Sequence, residues 1–270
     1  MNIRLTPDKD LRVEKIRIGR IPTLILRPAS VLMSDVGLLW LHGGGYITGL
    51  KEMVYMSRAV DLVKRYGVTV FSPGYRLAWQ SPYPAAAEDC YGVLSYMDEN
   101  REALHLSSLM VGGESAGGGL AAAVCMMARD KGIAVAYQMP LYPMLSNLDT
   151  ESSKDNHGKI WNTRRNHLGW RLYLRGDAKK AVSPYAAPAG QKDFSHLPPC
   201  YTFVGEGEPF YCETLQYVAS LQEAGVMAEV DVYPTDYHAF DMLKPDDPIS
   251  QEAIQTFLRH FEKALEMVGE

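Results

Sequence analysis

The chain is short of cysteine: it has four in 270 residues, Cys90, Cys125, Cys200 and Cys212, scattered without the spacing of a metal-binding set. That gives no basis for a zinc site and makes a structural disulfide unneeded, and all four read as reduced thiols in the core or near the surface. A basic excess is also missing. With 27 Lys and Arg against 32 Asp and Glu the formal net charge is -5, which removes the positive footprint that nucleic acid requires. No apolar run approaches the roughly 18 residues of a membrane span, and Met1 to Arg20 carries charges throughout with no signal-peptide core. The expectation is a soluble, cytoplasmic protein without a nucleic-acid or membrane partner. Internal repeats and low-complexity tracts are absent as well, which argues against an array architecture.

What the chain does have is apolar mass: 47% of its residues are hydrophobic, enough for a large core, and α/β folds of this length often run as one domain. Leu11 to Ile18 alternates apolar and charged side chains, and Thr23 to Leu26 is a second extended run, which predicts an antiparallel pair with one wet face. The pattern then changes to short apolar runs at Val36 to Leu41, Val68 to Phe71, Leu109 to Val111, Val135 to Pro140, Tyr201 to Val204 and Val230 to Tyr233. Most are separated by helix-length stretches, so the prediction is a mostly parallel sheet of eight strands flanked by helices. Between Ser146 and Pro199 the composition turns polar and the strand pattern lapses, apart from a helix from Asn162 or Thr163 to Gly176. The predicted organisation is a core made of residues 1–145 and 200–270 with a small lid inserted at 146–199. Trp161, Trp170 and Tyr173 in that insertion read as packing on the core in preference to touching a ligand.

Ligands of an open parallel sheet bind beyond the carboxyl ends of its strands, where several loops converge. The most specific feature lies there. Leu109-Met110-Val111 runs into Gly113-Glu114-Ser115-Ala116-Gly117-Gly118 and then into the Ala-rich run Leu120 to Ala128, which reads as strand, tight turn and helix. A Gly-x-Ser-x-Gly turn in that setting holds its serine strained and exposed at a helix start, the position of a nucleophile. The strand Leu38 to Leu41 ends in His42-Gly43-Gly44-Gly45-Tyr46, whose glycines can present backbone N–H groups to a ligand as an oxyanion hole. His42 itself reads as a brace for that loop. An acid and a histidine follow the last two strands, in Gly205-Glu206-Gly207-Glu208 and in Asp236-Tyr237-His238. The order Ser115, Glu208, His238 suits a nucleophile, an orienting acid and a general base. Glu206, Glu213 and Asp236 are rivals for the acid; Glu208 is preferred because Glu206 sits closer to its strand, Glu213 falls on the next helix and Asp236 is too near His238 in sequence. Of the seven histidines, His105, His157, His167, His196 and His260 read as surface residues. Asp89, on a helix predicted from Ala85 to Tyr96, reads as a structural acid that bonds loop backbone.

Taken in order, His42-Gly43-Gly44-Gly45-Tyr46, Pro84-Ala85-Ala86 to Asp89, Gly113 to Gly118, Gly205 to Glu213 and His238-Ala239-Phe240 resemble the bacterial hormone-sensitive-lipase-like branch of the α/β-hydrolase fold. The resemblance runs from about residue 36 to the end. It implies a serine carboxylesterase acting on a small-molecule ester with a short acyl chain, with Ser115 as nucleophile, His238 as base, Glu208 as acid and no metal or cofactor. It also implies an oxyanion hole from two of Gly43, Gly44 and Gly45 together with Ala116. Three departures stand out. The branch usually has Asp where this chain has Glu114, and Asp-Pro-Leu where it has Glu208-Pro209-Phe210; its N-terminal cap helices are largely missing here. The same triad would serve small amides, thioesters or acetylated sugars, and the fold also hosts small-molecule receptors without turnover. The resemblance leaves a homodimer open: relatives often dimerise, although Glu229 to Tyr233, a strand that could form an edge contact, shows no clear exposed apolar signature.

Overall fold

The computed structural model describes residues 6–29, 34–176 and 181–269. Its centre is an eight-stranded sheet in the order β1-β2-β4-β3-β5-β6-β7-β8, formed by Leu11–Ile18, Ile21–Pro28, Val36–Leu41, Thr69–Pro73, Ser108–Glu114, Tyr137–Leu141, Cys200–Gly205 and Ala228–Tyr233, numbered in chain order. β2 runs antiparallel to β1 and β4, and every later pairing is parallel. Every residue of β3, β4, β6 and β7 is buried, whereas β1 and β8 at the two edges mix buried, half-buried and exposed positions. This is why the inner strands read as continuous apolar runs and β1 as an alternating one.

The period of two sorts the strand side chains into two cores. Leu39, Leu41, Leu109 and Val111 face α2 (Ala85–Glu99) and α4 (Ala116–Lys131). Leu38, Trp40 and Met110 face α1 (Arg58–Tyr66) and α8 (Pro248–Gly269). The other α-helices among the described residues are the short α3 (Arg101–Leu104), α5 (Thr163–Leu174) within segment 146–199, α6 (Tyr211–Glu223), which joins the α4 side through Tyr217 and Leu221, and the short α7 (Phe240–Leu243). A predicted helix over 85–96 is thus α2, three residues longer, and the N-cap at Asn162 is confirmed by its side chain accepting from the Arg165 N–H at 3.1 Å. α5 stops earlier than Gly176, because Arg175 itself turns left-handed at φ 50°.

β4 and β5 are among the strands that extend past their apolar runs. β5 continues through Gly112-Gly113-Glu114, where glycine's weak strand preference is overridden by close packing: a Cβ on Gly112 would lie 2.4 Å from the Trp40 ring. β4 continues through Ser72 and Pro73 because β2 pairs with them at Leu24 and Thr23. β3 and β5 run in register, Leu41 beside Gly113, so the glycine loop and Ser115 leave the sheet side by side.

Candidate active site

Ser115 sits between β5 and α4 at φ 57°, ψ −119°, a conformation that L residues avoid. The turn is possible because its flanks are bare. A Cβ on Gly113 would meet the Leu41 carbonyl oxygen at 2.5 Å, and one on Gly117 would meet it at 2.0 Å. The serine N–H donates to the Leu141 carbonyl and its own carbonyl accepts from Met144, so β6 fixes the backbone from the other side. Its hydroxyl makes no cap bond to α4 and is free to meet a partner.

That partner is His238, whose Nε2 lies 2.9 Å from Ser115 Oγ. The other ring nitrogen, Nδ1, donates to Glu208 Oε2, and Glu208 Oε1 accepts the Gly205 N–H at 2.8 Å. With its Nδ1 proton committed to the carboxylate, His238 presents Nε2 as acceptor to the hydroxyl. All three side chains are nearly closed to solvent, at 6%, 4% and 0% exposure for Ser115, His238 and Glu208. The rival acids stand elsewhere. Glu206 and Asp236 are exposed, and Glu213 on α6 turns inward to accept the N–H groups of Leu145 and Ser146.

The glycine loop lies directly against the serine: a Cβ on Gly43 would be 3.3 Å from the Ser115 Cβ. It turns left-handed at Gly44 (φ 119°) and Gly45 (φ 61°), a backbone that glycine adopts without steric cost. Ala116 opens α4, where the first N–H groups have no intrahelical partner. His42 braces the loop. Its Nδ1 bonds the Gly43 carbonyl at 2.8 Å, its ring stacks on Tyr75 at 4.1 Å, and the Tyr75 hydroxyl donates to the His42 carbonyl. Burial lowers His42 to about 4, so it is neutral and holds the loop as a donor. Asp89 takes the expected structural place, accepting the Arg76 backbone N–H and gripping its guanidinium.

Comparison with known proteins matches this arrangement to a family model described as alpha/beta hydrolase fold, over residues 38–242. The chain belongs to the alpha/beta hydrolase fold family. It is 28% identical over 269 residues to Carboxylesterase NlhH of Mycobacterium tuberculosis, covering 95% of this chain and 84% of that one. It is 30% identical over 251 residues to Acetyl esterase of Salmonella paratyphi A, covering 90% and 76%. Among solved structures, "Bacterial Heroin Esterase" superposes with a TM-score of 0.86 at 28% identity, covering 99% of this chain and 85% of that one. Esterase LipW from Mycobacterium marinum does so with a TM-score of 0.86 at 30% identity, covering 94% and 82%.

Around the site of this α/β-hydrolase lie groups to which the sequence assigned no role. Tyr142, at the end of β6, stands edge-on to His238 with ring centroids 5.2 Å apart, and its hydroxyl donates to Asp241 Oδ1 at 2.9 Å. Asp241 pairs with Arg58 at 3.2 Å. Next to the serine, Glu114 accepts the Trp40 indole N–H at 2.7 Å. Burial raises Glu114 to about 8, and it raises Asp241 too, with Arg58 opposing. Glu114 is therefore protonated at neutral pH, a neutral tie between β3 and β5. No periodicity marks this cluster, because its members come from five separate elements. One surface reading is corrected: His260 is 9% exposed and stacks on Tyr201 at 3.8 Å, because α8 lays it on β7.

Segment 146–199 packs onto the glycine loop. Trp170 and Tyr173 of α5 are buried against Tyr46, whose hydroxyl donates to the Met144 carbonyl at 2.8 Å. A cleft of about 1060 Å³ opens on this segment among Asn147, Arg164, His167 and Arg171. Neither Ser115 nor His238 lines it, so it is separate from that pair of side chains.

Proposed function

We propose that the chain is a serine carboxylesterase that cleaves short-chain acyl esters through an acyl-enzyme intermediate. The observation that carries this reading is the continuous contact from Ser115 Oγ to His238 Nε2 and from His238 Nδ1 to Glu208, at a strained turn facing the glycine loop. Relatives named for ester hydrolysis support it, among them Ethyl acetate hydrolase of Pseudomonas putida at 28% identity over 228 residues.

In this reading Ser115 Oγ attacks the ester carbonyl carbon as its proton passes to His238 Nε2, and the carbonyl oxygen becomes an oxyanion. Amides of the Gly43 to Gly45 run and of Ala116 receive it, each well-placed donor contributing about 3 kcal/mol to the transition state. Glu208 stabilises the imidazolium and keeps its proton on the correct nitrogen. The leaving alcohol takes the Nε2 proton. Water, activated by the same nitrogen, then releases the acid and regenerates Ser115. Segment 146–199 acts as the cover over this site.

A fluorophosphonate probe followed by peptide mass spectrometry tests the assignment, with p-nitrophenyl acetate hydrolysis measured in parallel. The adduct is expected on Ser115, and Ser115→Ala is expected to lose at least about a thousandfold in kcat while remaining folded. Hydrolysis by that variant at near wild-type rate would overturn the nucleophile.

A further inference from the structure

Trp161 precedes the N-cap of α5 and, unlike the fully buried Trp170 and Tyr173, is only half-buried. Its indole occupies the side-chain space that Gly45 leaves empty. A Cβ on Gly45 would lie 2.0 Å from Trp161 Cη2 and 2.7 Å from Cζ2. The same ring is seated on α5 at Gly169, where a Cβ would be 3.5 Å from Cζ2, and its N–H donates to Oδ1 of the buried Asn166 at 3.3 Å. On the opposite side the indole leans toward Phe210, at 6.5 Å between centroids, and Phe210 stands edge-on to His238 at 5.2 Å. The ring thus reaches from the glycine loop toward Phe210 of the acid loop, which itself borders His238.

Granting the esterase reading, the positions of two substrate groups are set. The carbonyl oxygen goes to the glycine loop and the leaving alcohol to His238 Nε2, which must protonate it. The acyl chain is the substituent left to face segment 146–199, where the Trp161 ring lies against Gly45. We propose that Trp161 is the end wall of the acyl site and that it, held by Asn166 and Gly169, limits the enzyme to short acyl chains. The ring packs on the core as Trp170 does, but it also covers a bare glycine backbone and keeps part of its surface open. The inference rests on the esterase reading and assigns its acyl selectivity to one side chain.

The test compares kcat/KM for p-nitrophenyl acetate, butyrate and octanoate in the wild type, Trp161→Ala and Trp161→Phe. Each methylene accepted or refused by an apolar pocket changes the rate by roughly tenfold or more. The wild type is expected to favour acetate and butyrate, Trp161→Ala to raise the octanoate-to-acetate ratio at least tenfold, and Trp161→Phe to fall between. Labelling of Ser115 by the fluorophosphonate in each variant shows that the triad is assembled; if the alanine variant does not fold, the phenylalanine variant decides. An unchanged ratio in labelled, active variants overturns the wall alone. A wild type that neither labels nor hydrolyses any of the three esters overturns the esterase reading and the wall with it.

Discussion

At Glu208 the carboxylate is fixed by two bonds. Oε1 accepts the Gly205 N–H while Oε2 meets His238, so the turn from Gly205 to Glu208 is built around this side chain. Glu208→Gln keeps the size but replaces an acceptor by an amide that can donate to Nδ1, which would leave the proton on Nε2. A histidine in that tautomer cannot accept from Ser115. We therefore expect kcat on p-nitrophenyl acetate to fall by about four orders of magnitude with the fold intact; a loss of less than tenfold would remove Glu208 from the proposed triad. The sequence narrowed the acid to a few residues beyond the last two strands, and of these it is Glu208 that contacts His238. It could not see the contact from Glu208 to His238, because that depends on how the β7 and β8 loops meet.

The element that does most to shape the site is the crossing of β5 into α4. Its glycines are set by close approach: Gly117 faces the Leu41 carbonyl at a distance that no side chain can share, and that neighbour is backbone in a buried strand. Gly117→Ala is expected to cost about 3 kcal/mol or more, because the helix must shift away from β3. Urea unfolding measures this directly, and a midpoint equal to wild type would mean that the strand and helix are looser than described. The spacing of these glycines is a local signal and reads as a turn from the sequence alone. What stayed hidden was that β5 runs through two of them, since strand preference argues against it and only the Trp40 ring on the neighbouring strand explains it. α5 gives the converse case: its N-cap was readable from Asn162, a local signal, but its end at Arg175 was not, because a left-handed arginine has no sequence mark.

For the molecule as a whole, buried acids set how stability responds to pH. Glu114 and Glu213 are both raised by burial from 4.5 to about 8. In the unfolded chain each ionises near 4.5, so between 4.5 and 8 folding must take up a proton at each site. Their contribution is complete below that window, declines as pH rises through it and is level above it, on the order of 1 kcal/mol per pH unit per group. Glu114→Gln, which keeps an acceptor for Trp40, should flatten the decline, read from urea midpoints at pH 5, 7 and 9. An unchanged slope would mean that Glu114 is ionised in the fold. By itself the sequence determined the sheet, the order of its loops, the serine turn and the histidine, because alternation, glycine spacing and strand ends are written over a few neighbouring residues. The tertiary structure alone decided which acid reaches His238, that Glu114 is neutral, that His260 is buried and that Trp161 lies on Gly45. Each of those is a distance or a loss of water between residues far apart in the chain, fixed only when strand register and helix packing bring them together.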